Sequence, residues 1–227
     1  MGKHERVVAH VNSREDLLRR VRDALVELPD DERVVPVPRA TARRSSGAGR
    51  GDLAELVDLF AERLAQHGAQ LRRITDATIP DWVAAALREH GVRSVIAPDG
   101  LPGEWLAGWA TEEGHRIVAD SPLATAAEAE EVGAVVTTCA AAAADVGVLV
   151  LDGGEGQSRR PSTLAPDCHV CVVRAEQIQP SLPEVMDRLD PRRQTIMVAG
   201  PSATADAVAP GVHGPRSLIV LVVDRNG

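Results

Sequence analysis

The sequence predicts an α/β protein built on an open, mostly parallel sheet with helices on both faces. Short β-branched runs bounded by Gly or Pro, such as Val148–Leu151 and Ser217–Val223, have the length of strands and lack the 3.6-residue period of a helix. Amphipathic stretches separate them, and strands joined through helices are parallel neighbours. The composition is 44% hydrophobic but only 2% aromatic, with one Phe and no Tyr, so the core is Ala, Val and Leu packing.

An N-terminal helix and flexible linker, residues 1–51, precede the α/β domain, residues 52–227. Ser13 and Asp16 resemble a capping box, and Leu17, Leu18, Val21, Leu25 and Leu28 follow at helical spacing until Pro29, which predicts a helix over Ser13–Leu28. From Pro29 to Asp52 three prolines and three glycines replace any periodicity, and Arg39, Arg43, Arg44 and Arg50 read as solvated linker charges, with an anion or partner contact as the alternative. Asp52 with Glu55 then opens a helix with the apolar face Leu53, Leu56, Val57, Phe60 and Leu64, ending before Gly68.

The alternation begins there. A strand over Ala69–Thr75 is followed by a helix over Pro80–His90, a strand over Ser94–Ala97 and a helix over Glu104–Glu112, whose Trp105 and Trp109 share one face as core residues. His115–Ala119 reads as a strand, Ala124–Val132 as an acidic helix and Gly133–Thr138 as a buried strand. After Val148–Leu151 come a strand over His169–Val173, a helix from Ser181 to Leu189 with Pro183 in its first turn, and strands over Thr195–Ala199 and Ser217–Val223.

Charge and cysteine content narrow the partners. A net charge of −8 opposes binding to a nucleic-acid backbone, and so few aromatics leave no platform on which bases stack. The absence of a long uncharged apolar run predicts no membrane span, and the three cysteines, an odd number, read as free thiols in a reducing, cytoplasmic setting. Cys171 lies in and Cys168 beside one predicted strand, along which an offset of three points side chains to opposite faces, so no metal site is expected.

The chemistry-bearing stretch is Val146–Arg174. After the strand Val148–Leu151 comes a turn with Gly153, Gly154 and Gly156, then Arg159 and Arg160. Glycines let backbone N–H groups converge on an anion, and guanidinium forks match a carboxylate or phosphate. Gly154 and Gly156 begin a GxGxxG, but Arg159 stands at the third glycine and no helix start follows, which excludes a dinucleotide fingerprint. An ordinary polar loop is the alternative. The second informative stretch, Gly200–Arg216, has too many Pro and Gly for a crossover helix, so the last strand is expected to run antiparallel. That would gather Ser202, Thr204, Asp206 and His213 on the rim of Arg159 and Arg160, as suits a small hydroxy acid, keto acid or phosphorylated metabolite. As lone residues, turn capping is the bland alternative for each.

Together the segments ADVGVLVLDGGEGQSRR, PDCHVCVVRAEQI with SLPEVMDRL, and AGPSATAD with GVHGPR resemble the lactate utilization protein C family, the LUD domain. The resemblance covers about Leu56 to the C-terminus. It implies a fold like the NagB/RpiA/CoA-transferase group and a role in oxidising L-lactate to pyruvate beside two partner proteins that carry iron–sulfur clusters. With no cluster-type cysteine run, this chain is expected to bind no cofactor itself, the clusters belonging to the partners. Within that reading Gly153, Gly154, Gly156, Arg159, Arg160, Ser202, Thr204 and Asp206 bind a small carboxylate, and Asp145 or His213 serves as the base for the hydroxyl proton. Val146 and Val148 replace two threonines of the family pattern, and Ala207–Pro210 is a short uncharged bridge, departures that bear on a ligand contact. The alternatives are a non-catalytic subunit that docks the cluster-bearing partners, or an independent phosphosugar or acyl-CoA enzyme.

Overall fold

A computed structural model of the chain describes residues 14–26, 52–121, 129, 131–202 and 214–224. Two compact units divide it, Met1–Arg43 and Arg44–Gly227. In the first, α1 (Arg14–Val26) is the predicted amphipathic helix, with Glu15 and Asp16 in its first turn, where acidic groups favour the helix dipole.

The second unit holds the rest. Its elements are α2 (Leu53–Gln66), β1 (Gln70–Ile74), α3 (Ile79–Glu89), β2 (Ser94–Ala97), α4 (Glu104–Ala110), β3 (Arg116–Ala119), β4 (Ala134–Thr137), β5 (Ala141–Ala143), β6 (Val148–Leu151), α5 (Arg160–Leu164), β7 (Cys168–Arg174), β8 (Ile178–Gln179), α6 (Leu182–Met186), β9 (Ile196–Val198) and β10 (Ser217–Val223). Asp52 caps α2 by accepting from the Ala54 N–H, which satisfies a donor the helix cannot. At α6 the Ser181 hydroxyl donates to the Glu184 carboxylate at 3.0 Å. The helix expected over Ala124–Val132 falls largely outside the described residues.

Six strands form one sheet in the order β1-β10-β7-β4-β2-β3, every neighbouring pair parallel. The last strand is therefore parallel to β7 and β1, not antiparallel. The expectation failed because it placed β9 in the same sheet. Instead β8, β5, β6 and β9 make a second, four-stranded sheet in that order, so the link from β9 to β10 passes between sheets and needs no crossover helix. The Ala140–Ala144 run, with no β-branched residue to mark it, supplies β5 of that sheet.

Alternation along β10 shows how the layers stack. Ile219, Leu221 and Val223 face a core with Val83 and Leu87 of α3 and Trp105 and Trp109 of α4. Leu218, Val220 and Val222 face the opposite core, with Val57, Phe60 and Leu64 of α2 and Leu149, Leu151, Ile196 and Val198 of the small sheet. Cys168 joins the first core and Cys171 the second, as the offset of three predicted. Each fully buried Val or Leu contributes about 1.5–3 kcal/mol by leaving water. Among the described residues no helix is long and apolar enough to cross a membrane.

Candidate functional site

In the large sheet β2 lies between β3 and β4, and open α/β sheets bind ligands where the strand order reverses in this way, beyond the carboxyl ends. The residues that leave those ends are Pro98–Gly100 after β2, Asp120 after β3 and Thr138 after β4. The glycine turn after β6 is stitched across this opening. The Gly156 N–H donates to the Asp99 carbonyl at 2.8 Å, the Thr138 N–H donates to the Gly156 carbonyl at 2.8 Å, and the Thr138 hydroxyl donates to the Glu155 carbonyl at 3.0 Å. Only glycine fits at 156, because φ is +71° and a Cβ would stand 2.9 Å from the Thr138 hydroxyl.

Above the turn lies a cleft with two lobes. The first, about 530 Å³, is lined by Pro98, Asp99, Gly100, Asp120, Gly153, Gly154, Glu155, Gln157, Arg159 and Arg193. The second, about 380 Å³, shares Gly154, Gln157 and Arg193 with it and adds Asp152, Glu176, Gln177, Gln179 and Arg188. The boundary is an ion pair, Arg193 to Asp152 at 2.7 Å. Its hydrogen bond raises the Arg193 pKa further above the ordinary guanidinium value. The Gln157 Oε1 accepts from the Asp152 N–H at 2.7 Å, which directs the Nε2 donors elsewhere.

Arg159 is held from below. Its backbone N–H donates to Asp120 at 2.8 Å, and its Nε and terminal nitrogen donate to the same carboxylate at 3.0 and 2.8 Å. A further bond reaches the Ser121 carbonyl, and the Ser162 hydroxyl donates to Asp120 at 2.6 Å. With its side chain only 5% exposed, Asp120 is the fixed member of the pair. Among the described residues, Asp99 and Glu155 carry no ion pair, so the first lobe is lined by two unpaired acids as well as by two guanidinium groups.

Below the cleft, burial removes the other reactive groups from chemistry. His169 is fully buried, burial pushes its pKa down to about 4, and its Nε2 shares a 2.7 Å hydrogen bond with the Thr137 hydroxyl. Burial pushes the Cys168 thiol up to about 12, and a hydrogen bond with Cys171 together with burial raises Cys139, so neither is a thiolate at neutral pH.

The structure redistributes the residues expected at this site. Gly153, Gly154 and Arg159 line the cleft, but the turn is no anion nest, because the N–H groups of Gly154, Gly156, Gln157 and Arg159 all bond within the protein. A five-residue helix, α5, does begin at Arg160, and Arg160 is exposed on it, outside both lobes. Asp145 sits at the tip of the β5–β6 hairpin and accepts from the Leu182 N–H at 3.2 Å, so it caps α6 one strand length, about 13 Å, from the glycine turn. Ser202 is also at that far end, since β9 runs antiparallel to β6 and leaves the sheet where β6 enters. Its N–H donates to the Pro215 carbonyl at 2.8 Å. Thr204, Asp206 and His213 lie outside the described residues, as does the Ala207–Pro210 bridge. Val146 and Val148 belong to the hairpin tip and the start of β6, where the Val146 carbonyl accepts from the His67 ring at 3.1 Å.

Asp99, Asp120, Glu155, Gln157, Arg188 and Arg193 were missed. For the first two a signal existed: each is an acid within two residues of the end of a predicted strand, where ligands of such sheets bind. A sequence profile of the LUD domain matches residues 57–223. The chain belongs to the LUD-domain family. The LUD match opens on α2 and closes on the last residue of β10, so it contains both sheets and the whole cleft and leaves α1 outside. Lactate utilization protein C of Deinococcus radiodurans is 36% identical over 177 residues, 75% of this chain and 80% of that protein. The crystal structure of a DUF162 family protein from the same organism superposes with a TM-score of 0.63 at 32% identity, covering 76% of this chain and 98% of the other.

Proposed function

We propose that this LUD-domain chain is a subunit of a lactate utilization system that converts L-lactate to pyruvate, and that it binds the small carboxylate in the first lobe. The observation that carries the reading is that Arg159 and Arg193 line one cleft at the strand-order reversal together with Asp99 and Glu155, whose carboxylates carry no ion pair among the described residues. Guanidinium N–H groups take the substrate carboxylate, and an unpaired Asp or Glu accepts a hydrogen bond from the α-hydroxyl, which a hydroxy acid has and a keto acid lacks. Kinship with the Deinococcus protein supports the choice of lactate.

Oxidation removes two electrons and two protons from lactate. We assign the hydroxyl proton to Asp99 or Glu155 in place of Asp145, which caps α6 at the hairpin tip. The Cα proton would go to the second of these two carboxylates, and two partner proteins that carry iron–sulfur clusters would accept the two electrons. The test is thermal denaturation of the purified chain against L-lactate and pyruvate. A ligand at 100 times its dissociation constant stabilises the native state by about 2.7 kcal/mol, a rise of a few degrees. Saturable stabilisation by L-lactate that disappears in Arg193→Ala is the expected result. No shift with either acid, together with lactate-dependent growth unharmed by Arg193→Ala, would sink the substrate site and favour a subunit that only docks its partners.

A further inference from the structure

We infer that the cleft is built for an elongated dianion, with a hydroxy-acid head in the first lobe and a second anionic group, carboxylate or phosphate, in the second lobe at Arg188. The inference rests on the proposed carboxylate site and extends it. Size is the first argument. The first lobe alone, about 530 Å³, falls within the roughly 300–1,000 Å³ range of sites for ligands far larger than a three-carbon acid, and a second lobe of about 380 Å³ opens from it.

Charge decides what occupies the second lobe. In the first lobe Arg159 is matched by Asp120 and Arg193 by Asp152, and the remaining charges, Asp99 and Glu155, are negative. With both guanidinium groups already matched, the head carboxylate binds there by taking the place of Asp152 on Arg193, and no cation is left in that lobe for a second anionic group. In the second lobe Arg188 is the cation without an ion pair among the described residues, set against Glu176. Geometry joins the two halves. Gly154, Gln157 and Arg193 line both lobes, so a molecule that passes over the glycine meets the Gln157 and Arg193 side chains on its way. The Arg193 side chain is 48% exposed on a turn, free to exchange its contact with Asp152 for one with the ligand.

The experiment titrates the full chain with L-lactate, L-malate, 2-hydroxyglutarate and 3-phosphoglycerate, following the melting temperature, in wild type, Arg188→Ala and Arg188→Glu. Arg188 is exposed, so neither change threatens folding. The expected result is half-saturation at least tenfold lower for one of the dianions than for L-lactate. That gain vanishes in Arg188→Ala and reverses in Arg188→Glu, while lactate half-saturation stays within twofold; the identity of the best dianion tells a second carboxylate from a phosphate. Lactate binding with no gain from any dianion overturns the inference and leaves the lactate site standing. An Arg188-dependent dianion without lactate binding upholds the inference and removes lactate as the substrate. No binding by any of the four overturns both.

Discussion

Asp120 and Arg193 face the same cleft, yet their removal should have opposite signatures. Asp120 is buried and accepts from Arg159 and Ser162, so Asp120→Ala strands a partly buried guanidinium and a hydroxyl. We expect a loss of about 2–3 kcal/mol in denaturant unfolding together with weaker ligand binding. Arg193 is itself half exposed, and its largely buried partner Asp152 keeps the Gly154 N–H, so Arg193→Ala should lower the melting temperature of the free protein much less than Asp120→Ala does while removing ligand stabilisation. Ligand shifts measured beside unliganded melting separate the two roles. His169 gives a pH prediction. Its folded pKa of about 4 lies below the usual 6.5, so between those values the unfolded chain binds the extra proton. Stability is complete above about pH 6.5 and falls, by on the order of 3 kcal/mol, as pH drops to about 4. In His169→Gln that slope should flatten, whatever the variant's absolute stability; an unaltered slope in urea titrations at stepped pH would place the dependence elsewhere.

Between elements, the decisive contact is α2 against the small sheet. At Gly147 φ is +62° and a Cβ would stand 2.6 Å from the Arg63 Cβ and 2.8 Å from the Leu64 nitrogen. At Gly200 it would stand 2.5 Å from the His67 carbonyl oxygen. Both glycines belong to segments that resemble the family, and in the described structure they admit the C-terminal turn of α2. Gly147→Ala is expected to cost about 2–4 kcal/mol, since backbone atoms cannot retreat as a side chain can. Gly153→Ala, where φ is +71° but nothing lies within 4 Å, should cost only about 1–2 kcal/mol. Melting curves of the two variants check the ranking. Most elements were legible because they are local: Ser94–Ala97, Val148–Leu151 and Ser217–Val223 are strands to the residue, their β-branched runs closed off by turn residues. Partnership was not. Nothing in Thr195–Ala199 tells that β9 pairs with β6 instead of joining the large sheet, and that single fact carries Ser202 away from the glycine turn.

For the whole molecule, the described core clusters all lie within Arg44–Gly227, so a chain beginning at Arg44 should fold alone. Its urea unfolding should be a single transition, with the same ligand shift as the full chain; two transitions or a molten state would refute this. The candidate site was half legible at this scale. Arg159 announces itself beside three glycines, but Asp120 and Arg193 are separated from it by 39 and 34 positions: a parallel pairing of the large sheet returns Asp120 to the same opening, and the antiparallel β6–β9 pair of the small sheet returns Arg193.

The doubly bonded Gly156 has a consequence for motion. Because its N–H and carbonyl both bind across the strand ends, the turn opens only if two backbone bonds break together, and its amide protons should exchange with solvent far more slowly than those of an ordinary surface loop. Deuterium uptake at Gly156 and Thr138 should therefore track the sheet. A floor of that kind is ordered before any ligand arrives, so binding surrenders little conformational entropy there, and whatever moves on binding has to be the side chains of Arg193 and Arg188 above it.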